Sequence, residues 1–325
     1  MLAQVANCQK ATLVYGIVID NCSLISYRIR HIGATMKKVT IGICVRNCEK
    51  TIFDALESVI HQDFPLNELE IIVVDDGSTD KTLEIVKNFA SRRDISFKIF
   101  SQPWRGIAAA RNVVVRESKA KYIVWVDGDM RLSRDYLRKQ VGFMDSHPSV
   151  GAAKGTYAIQ TNRKIIALLE NSRAIDLISL PSELWGTGGA IFRVSALRQI
   201  GGFDERIKGA GEDTDVIIRL QKKGWLTAKT EAKFYERYKE TLKELWSQYF
   251  WWGYGAHFVK HKHRNTVTVF TRLPLIAFLK GVLRFLIIYR RERKIMYILL
   301  PFYELFKETA WLMGFIISHL EGYGH

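Results

Sequence analysis

The sequence predicts an α/β protein, with a mostly parallel central sheet flanked by helices and a helical appendage at the C-terminus. Three observations lead there. Short β-rich apolar runs alternate with helical patterns up to Val126, two of those runs end in carboxylate-rich loops, and beyond Lys239 the chain reads as helix to its end. Such alternation builds parallel strands covered by helices on both faces. The 325 residues, 48% hydrophobic and 25% charged, are enough for one large domain plus an appendage and exclude a disordered chain.

Residues 1–36 contain an apolar run from Ala11 to Ile19 that is too short for a membrane span and has no signal-peptide flanks. Met36-Lys37-Lys38 then precedes a strong strand. The stretch 1–36 therefore reads as an N-terminal arm outside a natural start at Met36, or as an edge strand or helix on the domain. Strands are expected at Val39–Val45, Leu69–Val74, Phe97–Phe100 and Tyr122–Val126. Helices are expected around Ile52–Ile60, Thr82–Phe89 and Gly106–Glu117. The α/β pattern marks one domain at 37–240, and ligands in such sheets bind beyond the carboxyl ends of the strands, so those loops are read first for a site. After Ala190 the pattern is mixed until Gly211-Glu212-Asp213 opens a helix that runs to Lys223.

Four features carry chemistry, two of them at strand ends. Asp127-Gly128-Asp129 puts two hard oxygen ligands within reach of one Mg²⁺ or Mn²⁺, although a turn of this composition also serves simply to end a strand. Asp75-Asp76-Gly77-Ser78 has the same double reading, and two such loops at one sheet edge favour a site. Arg111 follows Gly106-Ile107-Ala108-Ala109-Ala110, small residues that let a helix pack closely while the arginine stays available for a phosphate or carboxylate, or for a surface salt bridge. Glu212 and Asp213 begin a helix, where the dipole keeps carboxylates ionised for use as a base or is merely complemented by them.

As a set, Val39–Asn47, Val73–Asp80, Gly106–Asn112, Val126–Asp129, Gly188–Ala190, Gly201–Asp204 and Gly211–Asp213 resemble family 2 glycosyltransferases in order and approximate spacing, from about Lys37 to Tyr254. The resemblance implies a GT-A fold, an inverting mechanism, a nucleotide-diphosphate sugar donor and a lipid-linked or glycan acceptor. It also implies roles. Asp75 or Asp76 would contact the base or ribose, Arg111 would help hold the nucleotide, Asp127 and Asp129 would serve a divalent cation and the diphosphate, and Asp213 would be the base. Two positions depart from the pattern, with Arg46 where relatives carry proline and Glu236 at the place of a metal-binding histidine, which makes Glu236 a candidate third ligand. Gln248-Tyr249-Phe250-Trp251-Trp252 resembles the Gln-x-x-Arg-Trp signature of processive synthases, but Trp251 replaces the arginine. The aromatic pair reads as packing or as a sugar-stacking platform, and processivity is not expected. Rival readings are a catalytically silent sugar-nucleotide or lipid-carrier module and a nucleotidyltransferase.

The net charge of +15 is concentrated between Phe258 and Lys294, where Glu292 is the only acid. Basic residues there are interleaved with apolar ones as in an interfacial helix, and no nucleic-acid-binding signature is present. Within Arg272–Tyr289 the charges Lys280 and Arg284 oppose a bilayer span, and a second helix from about Phe302 to Leu320 carries Glu304 and Glu308 one turn apart. These helices are expected either to pack as a hairpin or to dip apolar faces into a membrane, so residues 241–325 read as a membrane-associating region, with Lys280, Arg284 and the Arg290–Lys294 cluster attracting anionic headgroups. Cys8, Cys22, Cys44 and Cys48 show no pairing pattern, and no His/Cys cluster has zinc-ligand spacing. The expected location is cytoplasmic, peripheral on the cytoplasmic face of the cell membrane.

Overall fold

The computed structural model describes residues 16–20, 24–29, 37–93, 95–158, 165–175, 186–207, 209–237, 239–264 and 269–323. Ten strands form one sheet: β1 Gly16–Asp20, β2 Leu24–Ile29, β3 Val39–Val45, β4 Leu69–Asp76, β5 Ser96–Gln102, β6 Tyr122–Trp125, β7 Met130–Leu132, β8 Val150–Tyr157, β9 Ala190–Arg193 and β10 Leu226–Glu236. Their order across the sheet is β1-β2-β5-β4-β3-β6-β9-β8-β10-β7. The centre, β5-β4-β3-β6, is parallel, and β8 is parallel to β10. Only β2, β9 and β7 run against the other seven strands. The N-terminal segment thus supplies an edge hairpin, β1 and β2, paired to β5.

The strands read as continuous apolar runs because both sheet faces are covered. Successive side chains alternate between two cores. Ile41, Ile43, Ile71, Val73, Tyr122 and Val124 pack with α1 (Ile52–Ile60), α2 (Thr82–Ser91) and α4 (Tyr136–Ser146). Ile72, Val74, Ile123 and Trp125 pack on the opposite face with α3 (Ile107–Glu117), α6 (Val194–Gln199) and α7 (Glu212–Lys222). A further helix, α5, spans Ile165–Ile175 and buries Leu169 in a third core with Leu245, Tyr249 and Ile288. In α1 the buried residues Ile52, Ala55, Leu56 and Val59 follow the i, i+3, i+4, i+7 spacing of one helical stripe. Gly42 leaves the room that Trp125 fills, since a Cβ there would lie 2.7 Å from the indole ring.

Three long helices follow: α8 Leu242–Lys262, α9 Pro274–Glu292 and α10 Leu300–Leu320. Thr241 and Glu244 close the start of α8 with a reciprocal capping box, each side chain accepting from the other's backbone N–H. Gly253 and Gly314 allow near backbone contact between α8 and α10, with Trp311 and Phe250 occupying the space a Cβ would need. Among the described residues no helix is long and apolar enough to cross a membrane. Arg284 does not face outward as the sequence reading placed it. It pairs with Glu304 inside the hairpin, where Lys307 Nζ lies 2.9 Å from the same carboxylate. Helical phasing explains the reversal: Arg284 shares a face with buried Ala277, Gly281 and Ile288, whereas Leu275, Leu279, Leu283 and Leu286 form an exposed stripe. The helices therefore pack as a hairpin and still present an apolar face to solvent.

Candidate active site

The parallel centre of the sheet delivers its carboxyl-end loops to one edge. The chain leaves β6 as Val126-Asp127-Gly128-Asp129 and closes a turn with Met130 N–H donating to the Asp127 carbonyl at 3.0 Å. Gly128 lies against the β3–α1 loop, where an added Cβ would sit 2.9 Å from Cys48 Sγ. The same loop wall, with Asn47, Asp80, Asp127, Asp129, Lys239 and Gln248, encloses a cavity of about 820 Å³. A second cavity of about 260 Å³ shares Cys44 with it and is bounded by Asp76, Trp104, Gly106 and Trp251. Arg46 also lines this smaller cavity and stacks over Trp104 at 5.1 Å.

Asp127, Asp129 and Glu236 come together, although Glu236 is over 100 residues away in sequence. The pairing of β10 with β7 sets Glu236 opposite Met130, next to Asp129. Burial, with Asp129 and Asp127 adding to it and Lys154 opposing, pushes the Glu236 carboxyl up to about 7. Asp129 is raised by burial, against the pull of Lys239 3.6 Å away, with Asp127 adding to the rise. The three acids are hard oxygen donors that raise one another, the donor chemistry a divalent cation takes, but their oxygen atoms do not gather within 4.8 Å of one another.

Arg111 differs from the available side chain expected. It is buried, paired with Glu212, and lies 3.7 Å from Asp127 Oδ1. Burial disfavours its charge, and Glu212, Asp127 and Asp213 more than restore it. Burial also raises Glu212, with Asp213 adding and Arg111 opposing. Arg111 thus ties the β6 loop to the start of α7. Asp213, the next residue, accepts from Thr214 N–H at 2.6 Å and turns its Oδ2 toward Gly186.

The strap Gly186-Thr187-Gly188 crosses between these groups. A Cβ at Gly186 would lie 3.1 Å from Asp213 Oδ2, and one at Gly188 would press on Asp127. Lys154 of β8 anchors the strap by donating to the Gly186 carbonyl at 2.8 Å. Sequence reasoning missed this residue. Its signal is a lone lysine in the otherwise uncharged run Val150–Tyr157, buried and kept from its ordinary basicity by desolvation, which Glu236, Asp213 and Asp127 partly offset.

Asp75 and Asp76 sit at the end of β4, both buried. Asp76 accepts from Gln102 Nε2 at 2.7 Å and from the backbone N–H groups of Arg105 and Gly106 at 2.9 Å each. Gly106 has φ of 95°, so a side chain there would strain the turn that starts α3. Asp76 therefore organises the loop that carries Trp104. Asp75 accepts from Ser78 N–H at 3.3 Å through Oδ2, and its Oδ1 is buried without a hydrogen-bond partner.

A second group of metal-competent side chains lies elsewhere. His257 and His261 of α8 and His319 of α10 hold ligand atoms within 4.8 Å of one another. The sequence reading found no zinc-type spacing because the third histidine comes from another helix, 58 residues after His261.

A mostly parallel sheet with acidic loops at the carboxyl ends of its strands and helices on both faces defines a GT-A-like fold. The profile for glycosyl transferase family 2 matches residues 40–200, and that for glycosyl transferase family group 2 matches residues 122–318. The chain belongs to the family 2 glycosyltransferases. It is 32% identical over 114 residues to poly(ribitol-phosphate) beta-N-acetylglucosaminyltransferase TarS of Staphylococcus aureus, covering 35% of this chain and 20% of that protein. It is 27% identical over 221 residues to a poly-beta-1,6-N-acetyl-D-glucosamine synthase of Staphylococcus epidermidis, covering 65% and 52%. The chain thus spans between a fifth and about half of these relatives. Among solved structures, the mannosyltransferase PcManGT from Pyrobaculum calidifontis, in complex with GDP-Man and Mn²⁺, superposes with a TM-score of 0.63 at 19% identity over 88% of each chain, which shows the shared fold.

Proposed function

We propose that this protein transfers a sugar from a nucleoside diphosphate sugar to an acceptor hydroxyl with inversion at the anomeric carbon. The observation that carries the reading is Asp127 and Asp129 on the wall of the larger cavity, with Glu236 paired opposite Met130, the residue after Asp129. Those three residues would hold Mg²⁺ or Mn²⁺, which when bound supplies positive charge for the departing diphosphate. Asp213 takes the proton of the acceptor hydroxyl as it attacks. Lys154 and Arg111 hold the two carboxylate loops in register from beneath. Asp75 and Asp76 face the nucleotide side, Asp76 by fixing the loop whose Trp104, with Trp251, offers aromatic walls for a base or sugar ring.

The acceptor is a glycan or a lipid-linked glycan, and residues 241–325 hold the enzyme on the cytoplasmic face of a membrane. Support comes from the exposed stripe Leu275, Leu279, Leu283 and Leu286, with Arg290, Arg291, Arg293 and Lys294 at its end. Two of the named relatives, the poly(ribitol-phosphate) transferase and the poly-beta-1,6-N-acetyl-D-glucosamine synthase, are named for polymers, which favours a polymeric or lipid-carried acceptor here.

The test is release of nucleoside diphosphate from UDP-GlcNAc and GDP-mannose with Mn²⁺ or Mg²⁺, alongside a pyrophosphate assay. Transfer predicts nucleoside diphosphate, lost on chelation and in Asp129→Ala with the fold intact. Pyrophosphate as the product would establish nucleotidyl transfer instead. Donor binding with no turnover across acceptors would establish a silent module.

A further inference from the structure

We infer a second metal site, separate from the carboxylate site, that binds a zinc-type transition-metal dication through His257, His261 and His319 and staples α8 to α10. His257 and His261 are one helical turn apart on α8, so their rings share a face, with centroids 4.4 Å apart. His319 sits in the last turn of α10, its ring centroid 5.2 Å from that of His257. His257 is buried, whereas His261 and His319 reach solvent, which leaves an entry path and room for water as a fourth ligand.

The tautomer of His257 is already the one a ligand needs. Its Nδ1 lies 2.8 Å from the Tyr323 carbonyl oxygen, which only accepts, so the proton is on Nδ1 and the Nε2 lone pair points at His319 Nδ1, 3.1 Å away. Metal-binding histidines are typically oriented in this way, by donating the second ring N–H to a carbonyl. Two nitrogens on one tetrahedral zinc, each at 2.0–2.1 Å, lie about 3.3 Å apart, so the pair needs almost no movement to share an ion. In the metal-free state His319 donates to His257. On binding, that proton moves to His319 Nε2 and both lone pairs turn to the metal.

The framework under the site is rigid. Close backbone approach at Gly253 and Gly314 fixes the spacing of the two helices, and Phe315 packs edge-on against His257 at 5.1 Å. Imidazole nitrogens favour Zn²⁺, Ni²⁺ or Cu²⁺ over Mg²⁺ or Mn²⁺, the reverse of the Asp127, Asp129 and Glu236 set. Nine residues of α8 separate His257 from Gln248 on the cavity wall, about 14 Å along the axis. The two sites thus select different ions at opposite parts of one helix.

The experiment uses the full chain stripped with chelator and titrated with Zn²⁺ alone, read by calorimetry and thermal melting, with Co²⁺ absorption as a report of nitrogen coordination. The expected result is one equivalent bound, a raised melting temperature, and an affinity loss of at least about tenfold in His261→Gln and in His319→Gln, both exposed positions that leave the fold intact. Asp129→Ala should bind Zn²⁺ at this site as wild type does, and Mg²⁺ should not raise the melting temperature through it. Absence of Zn²⁺ binding overturns the inference. So does binding that survives both histidine variants or disappears in Asp129→Ala.

Discussion

Replacing Gly188 by alanine tests how the strap sets the reacting geometry. The backbone conformation at Gly188 is not of the left-handed kind, so alanine adds a steric effect and no torsional one. The new Cβ would lie 3.2 Å from Asp127 Cγ and 3.0 Å from Met130 Cε, and closer still to Asp127 Oδ2. Carbon pairs sit at about 3.5–4.0 Å, so the Asp127 carboxylate must move by roughly half an ångström to one ångström. A displacement of that size costs about 10²-fold in rate, while overpacking one methyl costs about 1–3 kcal/mol of stability and leaves the chain folded. The assay is nucleoside diphosphate release from the donor panel, with circular dichroism as the fold control. Gly142→Ala, whose Cβ meets nothing within 4 Å, is the matched substitution and should keep full rate. Turnover of Gly188→Ala within about threefold of wild type would show that the strap does not position Asp127.

Three further outcomes are expected. Asp213→Asn should retain donor affinity, measured by calorimetry, and lose transfer; an equal loss of both would make Asp213 a donor contact. Glu304→Gln leaves Arg284 and Lys307 facing each other without their shared carboxylate and should cost about 3–5 kcal/mol in urea unfolding, with a change under about 1 kcal/mol contradicting a buried ion cluster. Leu279→Asp with Leu283→Asp should weaken co-sedimentation with anionic vesicles while leaving transfer to a soluble acceptor unchanged. Vesicle binding equal to wild type would place the membrane surface elsewhere.

Continuous apolar runs and the helical patterns between them located β3, β4, β5, β6 and their helices, because both sheet faces are covered and the intervening loops are short. The strand-end carboxylates Asp127 and Asp129 were legible for the same reason: the strand rule says where its last residues point. Burial was not legible. Arg111 follows a run of alanines that suggested exposure, yet those small residues draw α3 so close to the sheet that the guanidinium is enclosed against Glu212 and Asp127. Lys154 escaped notice, and Gly188–Ala190 was seen only as a motif, because their joint meaning depends on β8 lying beside β9, a pairing between residues about 40 apart with no local signature. The histidine cluster is hidden in the same way, by the crossing of α8 and α10.

The placement of β9 between β6 and β8 also bears on how the chain acquires its shape. Strands β3 and β4 pair residues 30 apart, as Val39 with Leu69, whereas β6 meets β9 across 71, as Tyr122 with Arg193, and β8 meets β10 across 76. Closing the longer loops costs more chain entropy, and only their closure brings Gly188 over Asp127 and Glu236 beside Asp129. The parallel unit β3-β4-β5 is therefore positioned to form first, with the edge that carries Asp127 and Glu236 zipped on last. A ribosome-bound chain ending before Ala190 would carry Asp127 and Asp129 just after a strand that still has one open side, and the cavity wall would close only once β10 and α8 have followed.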